Sequence, residues 1–166
     1  MTVAFDYFLI SFQLKYLPGN ININTSVSYL SEMLGYATSG WILGKVAIKW
    51  TLVSFFAIAG IGSFGALFYG DLDSDGANWT FSIFVMLMKF GMSAAFNIVY
   101  IAQPKMFPTL FAVTAMGIVN IIARVVTIFA PVVAEIKAPV PMISFTTLAI
   151  LAGVGSLFLI EVKDKK

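Results

Sequence analysis

Six apolar stretches divide almost the whole chain, and each is close to the length that crosses a lipid bilayer. A transmembrane helix needs roughly 20 mainly apolar residues. Short polar or turn-forming segments separate the stretches, and they leave no room for a soluble domain. The predicted spans are residues 3–17, 27–43, 50–69, 79–102, 109–133 and 141–160.

Composition makes a membrane the only reasonable solvent for these stretches. The 166 residues are 60% hydrophobic and only 11% charged, whereas soluble domains carry about 25% charged residues. A domain of this size cannot bury so many apolar side chains in its own interior. We therefore predict an all-α integral membrane bundle in which residues 1–166 form one six-span domain.

Two residue types needed for much enzyme chemistry are absent. The chain has no Cys and no His, so it lacks a thiolate nucleophile and the commonest general base. Its net charge of +2 is too small to indicate a nucleic-acid partner. We expect no enzymatic activity, no cofactor, no metal site and no nucleic-acid binding.

Lysines predict the orientation in the membrane. Six spans place both termini on one side, and most lysines fall on that side: Lys45, Lys49, Lys105, Lys163, Lys165 and Lys166. Positive loops face the cytoplasm or, in mitochondria, the matrix. The sequence does not distinguish the plasma membrane from the mitochondrial inner membrane.

Five charged residues lie inside predicted spans: Asp6 and Lys15 are in the short first span, and Glu32, Lys89 and Arg124 stand out in longer ones. A charge at the bilayer centre costs about 2.5–3.5 kcal/mol on insertion scales, so such residues usually face a bundle interior or an aqueous cavity. Two interpretations remain open. The residues line a cavity for an ionic solute, or Glu32 forms an internal ion pair with Arg124 or Lys89 that fixes helix register. Asn97 is a further polar candidate.

Ordered motifs along the chain resemble one transporter family. Residues 89–100, KFGMSAAFNIVY, followed by Phe107-Pro108-Thr109, are similar to the pattern G-K-F-G-x-x-A-x-F-x-x-x-Y and then A-E-L-Y/F-P-T. Ala123-Arg124-Val125 with Ala130-Pro131 resembles A-R-x-G-x-x-x-x-P. These patterns mark the second half of organic cation, organic anion and carnitine transporters of the major facilitator superfamily.

Earlier segments fit the same family in the same order. Tyr7-Phe8, Ser11, Leu17 and Gly19-Asn20-Ile21 resemble Y-Y-x-x-S…L-G-G-N-I, and Glu32 with Tyr36 fits E-x-P-A-Y. The resemblance covers nearly the whole chain. It implies the second six-helix half of a twelve-span carrier.

The resemblance also implies a ligand class. The position of Arg124 tends to hold Asp in cation carriers and Arg in anion and carnitine carriers, so Arg124 favours an organic anion or a zwitterion with a carboxylate. The resemblance and the intramembrane charges together give seven candidate substrate-binding residues: Arg124, Glu32, Tyr7, Phe8, Tyr36, Lys89 and Asn97.

The chain departs from the family in the inner loops. After the second span the family pattern is similar to D-R-x-G-R-R, whereas this chain has GKVAIK, with Lys45 and Lys49. Lys105 replaces the acid that precedes F-P-T in the family. Ala112 stands where the family has Arg. Opposite charges at these gating-loop positions close the inner side in the family. Like charges at the three lysines would repel instead.

Two functions remain open. One is a half-transporter that moves a small organic anion or zwitterion by alternating access, together with a second six-helix half in a homodimer or heterodimer. The other is a structural subunit of a larger membrane complex, derived from a carrier but inactive in transport. A fragment of a longer transporter is a third possibility. Each is surrounded by the lipid bilayer.

Overall fold

The described part of the chain is almost entirely helical. The computed structural model describes residues 2–16, 21–69, 75–106, 109–136 and 140–158, and none of these residues forms a strand. The all-α class is therefore confirmed. Its helices, in chain order, are α1 (Thr2–Gln13), α2 (Ile21–Leu43), α3 (Ile48–Tyr69), α4 (Asp75–Met106), α5 (Thr109–Thr127), α6 (Ala130–Ala134) and α7 (Val140–Leu157).

Several sequence motifs lie outside the described residues. They are the segment 17–20 with Leu17 and Gly19-Asn20, the residues Phe107 and Pro108, and the C-terminal lysines Lys163, Lys165 and Lys166. Lys105 belongs to α4, but its side chain is also outside the described part.

Each predicted span overlaps a helix. The first also contains a short 3-10 helix (Leu14–Tyr16), and the fifth contains two α-helices. The helix is interrupted between α5 and α6, and Pro131 stands at the start of α6. Proline has no backbone N–H, so the helical hydrogen-bond ladder cannot continue through it. Before the break, the N–H of Phe129 bonds to the carbonyl of Val126, three residues back.

Four segments of the described residues are long and apolar enough to cross a membrane. They are Ile48–Phe68, Phe81–Pro104, Phe111–Ala134 and Val140–Leu157. The other two predicted spans differ for separate reasons. The helix α1 has only 12 residues, and α2 has 23 residues but many polar ones. A membrane crossing by α1 and α2 therefore stays a prediction.

The helix α4 occupies the centre of the bundle. It packs most extensively against α3 and α2, and it also contacts α1 and α5. Glycines permit the close approach. A Cβ atom built on Gly91 would lie 2.7 Å from the carbonyl oxygen of Phe55 and 2.8 Å from the backbone nitrogen of Ala59. A Cβ on Gly62 of α3 would lie 2.8 Å from the backbone nitrogen of Met88. Small residues commonly allow membrane helices to pack in this way.

A buried hydrogen bond joins α3 to α7. The hydroxyl groups of Ser63 and Thr146 bond to each other, and Thr146 also donates to the carbonyl of Met142 at 2.7 Å. We expect Thr146→Val to lower the free energy of unfolding by about 0.6 kcal/mol, the average for hydrogen bonds between membrane helices. Denaturant titration in mixed micelles measures this change.

The next threonine provides the control for that measurement. Thr147 also donates to the carbonyl four residues back, at 2.7 Å, but it is exposed and has no bond to another helix. We expect Thr147→Val to leave stability within a few tenths of a kcal/mol. Equal losses in both variants would contradict a contribution from the bond between α3 and α7.

A broad apolar surface covers α5 and α6. Within residues 111–134 only Ala112, Ala123, Ala130 and Ala134 are buried inside the chain. Its exposed large side chains include Phe111, Val113, Ile118, Ile121, Val125, Ile128, Phe129 and Val132. An apolar surface of this extent requires lipid or a protein partner.

Candidate ligand-binding site

Three helices bring polar side chains together inside the bundle. We define the charge cluster as Tyr7 and Ser11 of α1, Glu32 and Tyr36 of α2, and Lys89 of α4. The Lys89 ammonium lies 3.5 Å from Glu32 Oε2. The hydroxyls of Tyr7 and Tyr36 both donate to Glu32 Oε1, the second at 2.9 Å.

Lys89 is enclosed on every side. Its residue is only 1% exposed, and its ammonium donates to Ser11 Oγ at 2.6 Å. The same ammonium stands 4.0 Å from the centre of the Tyr7 ring, a cation–π contact that is strengthened by desolvation. The carboxylate, the hydroxyl and the ring together replace the water that a lysine would otherwise need.

The spacing of the cluster residues follows the helical repeat. Tyr7 and Ser11 are four residues apart on α1, and Glu32 and Tyr36 are four apart on α2. Residues at this spacing share one helix face. The Ser11 hydroxyl also donates to the Tyr7 carbonyl at 2.8 Å, which orients its oxygen to accept from Lys89. The ion pair of Glu32 is with Lys89 and not with Arg124.

A row of aromatic rings extends from the charge cluster along α4. Tyr7 stacks on Phe96 with ring centres 4.9 Å apart, and Phe96 contacts Tyr100 at 4.8 Å. The Tyr100 hydroxyl donates to the Asn120 side chain of α5 at 3.0 Å. The row connects the charge cluster to α5.

Asn97 has a different position from the other candidates. Its amide donates to the Ser39 hydroxyl at 2.8 Å and to the Tyr36 carbonyl at 3.5 Å. Both contacts join α4 to α2. In this structure Asn97 serves as a helix-to-helix link beside the cluster.

Arg124 lies on a separate, open groove between α1 and α5. The groove has a volume of about 620 Å³ and a mostly apolar lining: Phe8, Phe12, Asn120, Ile121, Arg124, Val125, Thr127, Ile128 and Pro131. We call it the arginine groove. The guanidinium carbon of Arg124 lies 5.6 Å from the centre of the Phe8 ring. Arg124 is exposed and makes no ion pair with any carboxylate of the described residues.

The two regions differ in their electrostatic state. In the charge cluster, Glu32 and Lys89 neutralise each other. In the arginine groove, Arg124 keeps a positive charge beside apolar walls and an amide. Guanidinium groups bind carboxylates through two parallel hydrogen bonds. The groove can therefore accept a carboxylate at Arg124 and an apolar body along α1 and α5.

The two regions are also in direct contact. The ring of Phe8, which lines the groove, meets the ring of Tyr7 edge to face, with centres 5.4 Å apart. Neighbouring residues of α1 thus belong one to each region. A shift of α1 would move both the Tyr7 ring that covers Lys89 and the Phe8 ring that lines the groove beside Arg124.

Two of the gating-loop lysines, Lys45 and Lys49, lie where α2 ends and α3 begins. Lys45 stands over the Trp41 ring, 3.8 Å from its centre, and Lys49 belongs to the first turn of α3. Trp41 and Trp50 are both exposed near them. Exposed tryptophans and lysines at helix ends are typical of a membrane–water interface.

The structure adds residues that are not among the seven candidate substrate-binding residues. Ser11 accepts from Lys89, Phe96 stacks on Tyr7, and Asn120 and Phe12 line the groove. Spacing could have indicated Ser11 because it follows Tyr7 by one turn. Phe12 carried no such signal, since an apolar residue in a membrane span is expected everywhere.

Comparison with known proteins identifies a set of similar transporters. No family model matches the chain. It is 31% identical over 166 residues to solute carrier family 22 member 4 of Mus musculus, covering 97% of this chain and 29% of that protein. It is 29% identical over 175 residues to the organic cation transporter protein of Drosophila melanogaster, covering 99% and 31%.

A human relative gives the same result. Organic cation/carnitine transporter 2 of Homo sapiens is 26% identical over 164 residues, covering 97% of this chain and 29% of that protein. The chain thus spans about three-tenths of the length of the curated relatives it matches. The similarity of transporters to almost every part of the chain agrees with the apolar helices and supports a multi-pass membrane protein.

Proposed function

We propose a role in organic-ion transport from the premise that this chain is homologous, over almost its whole length, to organic cation and carnitine transporters. The chain acts as one six-helix half of a carrier, and its ligand is a small organic anion or a zwitterion with a carboxylate group. It carries out no covalent chemistry.

The observation that carries this proposal is the position of Arg124. Its charge is unpaired among the described residues and lies on an open groove with apolar walls. Glu32 is already paired with Lys89 and bonded to two tyrosines, so the negative charge of this region is satisfied. The groove therefore favours a carboxylate over a cation. For a zwitterion, the exposed ring of Phe12 in the groove lining suits its ammonium group.

An open groove requires a second wall. Central sites of such carriers lie between two bundles that rock against each other. The apolar surface of α5 and α6 and the arginine groove share Ile121, Val125 and Ile128, which fits a second six-helix half packed over both. That half comes from a second copy or from another chain. We place both termini of the predicted six-span domain on the cytoplasmic or matrix side.

Transport by the reconstituted protein tests the proposal. The chain is purified with the proteins that accompany it and placed in liposomes, and uptake of labelled carnitine is compared with that of its methyl ester. Both probes carry the same quaternary ammonium, but only carnitine carries a carboxylate. We expect saturable uptake of carnitine and much weaker uptake of the ester.

A substitution at Arg124 sharpens the test. Loss of a hydrogen bond to a charged group costs about 1.5–3 kcal/mol, so Arg124→Ala is expected to weaken carnitine uptake at least about tenfold. Arg124→Lys keeps the charge and should retain part of the activity, and Glu135→Gln, which changes an exposed charge outside the groove lining, is the control. Uptake that Arg124→Ala leaves unchanged would remove Arg124 from the site. No uptake by the wild-type protein would contradict the carrier function.

One observation favours the second function, a structural subunit of a membrane complex. The charge cluster is satisfied internally, as a pair that only fixes helix register would be. The lysines at the gating loops also cannot form the usual opposite-charge contacts. Purification from the native membrane separates the two functions. A stable large complex of unrelated subunits without uptake favours the structural role, whereas a pair of six-helix halves with uptake favours the carrier.

A further inference from the structure

A second carboxyl group, that of Asp6 in α1, is buried without a hydrogen-bond partner among the described residues. Asp6 is 0% exposed, and neither of its carboxylate oxygens accepts a hydrogen bond within the described residues. An ionised carboxylate in such a place would lose its hydration without compensation, which costs far more than burial of the neutral acid. Buried polar groups without partners are rare in folded proteins, and each requires an explanation.

The described residues of the helices packed against α1 supply no counter-charge for Asp6, and Lys15, in the 3-10 helix that follows α1, is exposed. On α4, Lys89 is engaged with Glu32 and Ser11, and Tyr100 donates to Asn120. On α5, Arg124 lies on the groove. The described residues of α7 carry no charged group, and Glu135 just after α6 is exposed. The amino terminus and the side chains of Asp75 and Lys105 are outside the described residues. None of the described groups forms an ion pair with Asp6.

We infer that Asp6 is a proton-binding site that couples the carrier to H⁺, an inference that rests on the proposed function. In the arrangement seen here the carboxyl group holds its proton, because it is buried and its oxygens accept no hydrogen bond from the described residues, which favours the neutral form. When water reaches Asp6 in another arrangement of α1, the group releases the proton and becomes a carboxylate. One proton is bound or released, and no other bond changes.

The position of Asp6 links the proton to the ligand-binding residues. Asp6 directly precedes Tyr7 and Phe8 in α1. Tyr7 donates a hydrogen bond to Glu32 and covers Lys89, and Phe8 lines the groove. A movement of α1 that hydrates Asp6 would shift both residues. A proton that binds one arrangement more tightly than the other biases the equilibrium between them. Ionisable residues inside membrane segments are frequent members of proton relays.

Infrared spectroscopy tests the proton site without reference to transport. At neutral pH the purified wild-type protein should show the C=O stretch of a protonated carboxylic acid, and Asp6→Asn should remove it. Glu135→Gln changes an exposed carboxyl group and should leave the band in place. If the wild-type protein shows no band that Asp6→Asn removes, the proton site is overturned, whether or not the chain transports.

Flux in liposomes tests the coupling. With one proton carried per carnitine, an outside medium one pH unit more acidic than the inside should drive roughly tenfold accumulation, and a trapped pH dye should report proton entry. We expect Asp6→Asn to retain carnitine uptake and lose both effects, and Glu135→Gln to keep them. Wild-type uptake that ignores the gradient would overturn only the coupling. Absence of uptake in every variant would instead contradict the carrier function.

Discussion

Replacing Lys89 by methionine is expected to lower the free energy of unfolding by about 3–5 kcal/mol. Methionine fills much of the space of the lysine stem but removes the ammonium that faces Glu32 at 3.5 Å. The carboxylate then remains in the bundle, with two tyrosine hydroxyls but no positive charge. Removal of one partner from a buried ion pair is costly because the other charge stays uncompensated. Unfolding by denaturant in mixed micelles measures the loss.

Two further variants distinguish the pair from other effects. Lys45→Met removes a lysine that is exposed and should change stability by less than about 0.5 kcal/mol. In the double variant Glu32→Gln with Lys89→Met, both charges are gone, and most of the stability should return. If the double variant is as unstable as the sum of the two single variants, Glu32 and Lys89 do not stabilise each other.

Replacing Gly91 by valine is expected to cost about 3 kcal/mol, the upper part of the usual range for overpacking. A Cβ at this position would meet backbone atoms of Phe55 and Ala59 at 2.7 and 2.8 Å. Backbone atoms cannot rotate away as a side chain can, so α3 and α4 would have to separate. These two helices form the most extensive interface of the described residues, and thermal unfolding in detergent should register the change.

Gly60 on α3 is the matched control. A Cβ built there meets nothing within 4 Å, so Gly60→Val adds the same side chain to open space and should be nearly neutral. If Gly91→Val and Gly60→Val melt at the same temperature, the helix contact at Gly91 does not limit packing. Larger loss at Gly91 would identify the contact between α3 and α4 as a stability determinant.

Helix positions could be predicted from the sequence more closely than helix ends. The apolar stretch 50–69 corresponds to α3 (Ile48–Tyr69), within two residues at its start. The predicted stretch 27–43 is shorter than α2, which begins at Ile21. Asn22 and Asn24 are polar, so hydropathy excludes them, but they are helical. Hydropathy reports the solvent around a helix, whereas hydrogen bonding sets its ends. The predicted fifth span includes Pro131, whose missing N–H divides that span into α5 and α6.

Candidate residues could be named from the sequence, but their partners could not. Glu32 had two possible cationic partners, and only the packing of α2 against α4 selects Lys89. Distances along the chain do not reveal which helices are neighbours. The sequence also could not show that Asp6 is buried, because its position indicates only an acid in an apolar stretch.

The sequence by itself determined that this chain is a helical membrane bundle with a few costly charges, because the balance of apolar and charged residues decides the solvent. Its ordered motifs also indicated the relatives. Only the tertiary structure decided that Lys89 neutralises Glu32. It also decided that, among the described residues, Arg124 on its groove meets no carboxylate and buried Asp6 accepts no hydrogen bond. Charges interact through space, so their effects depend on which helices meet and not on the order of residues.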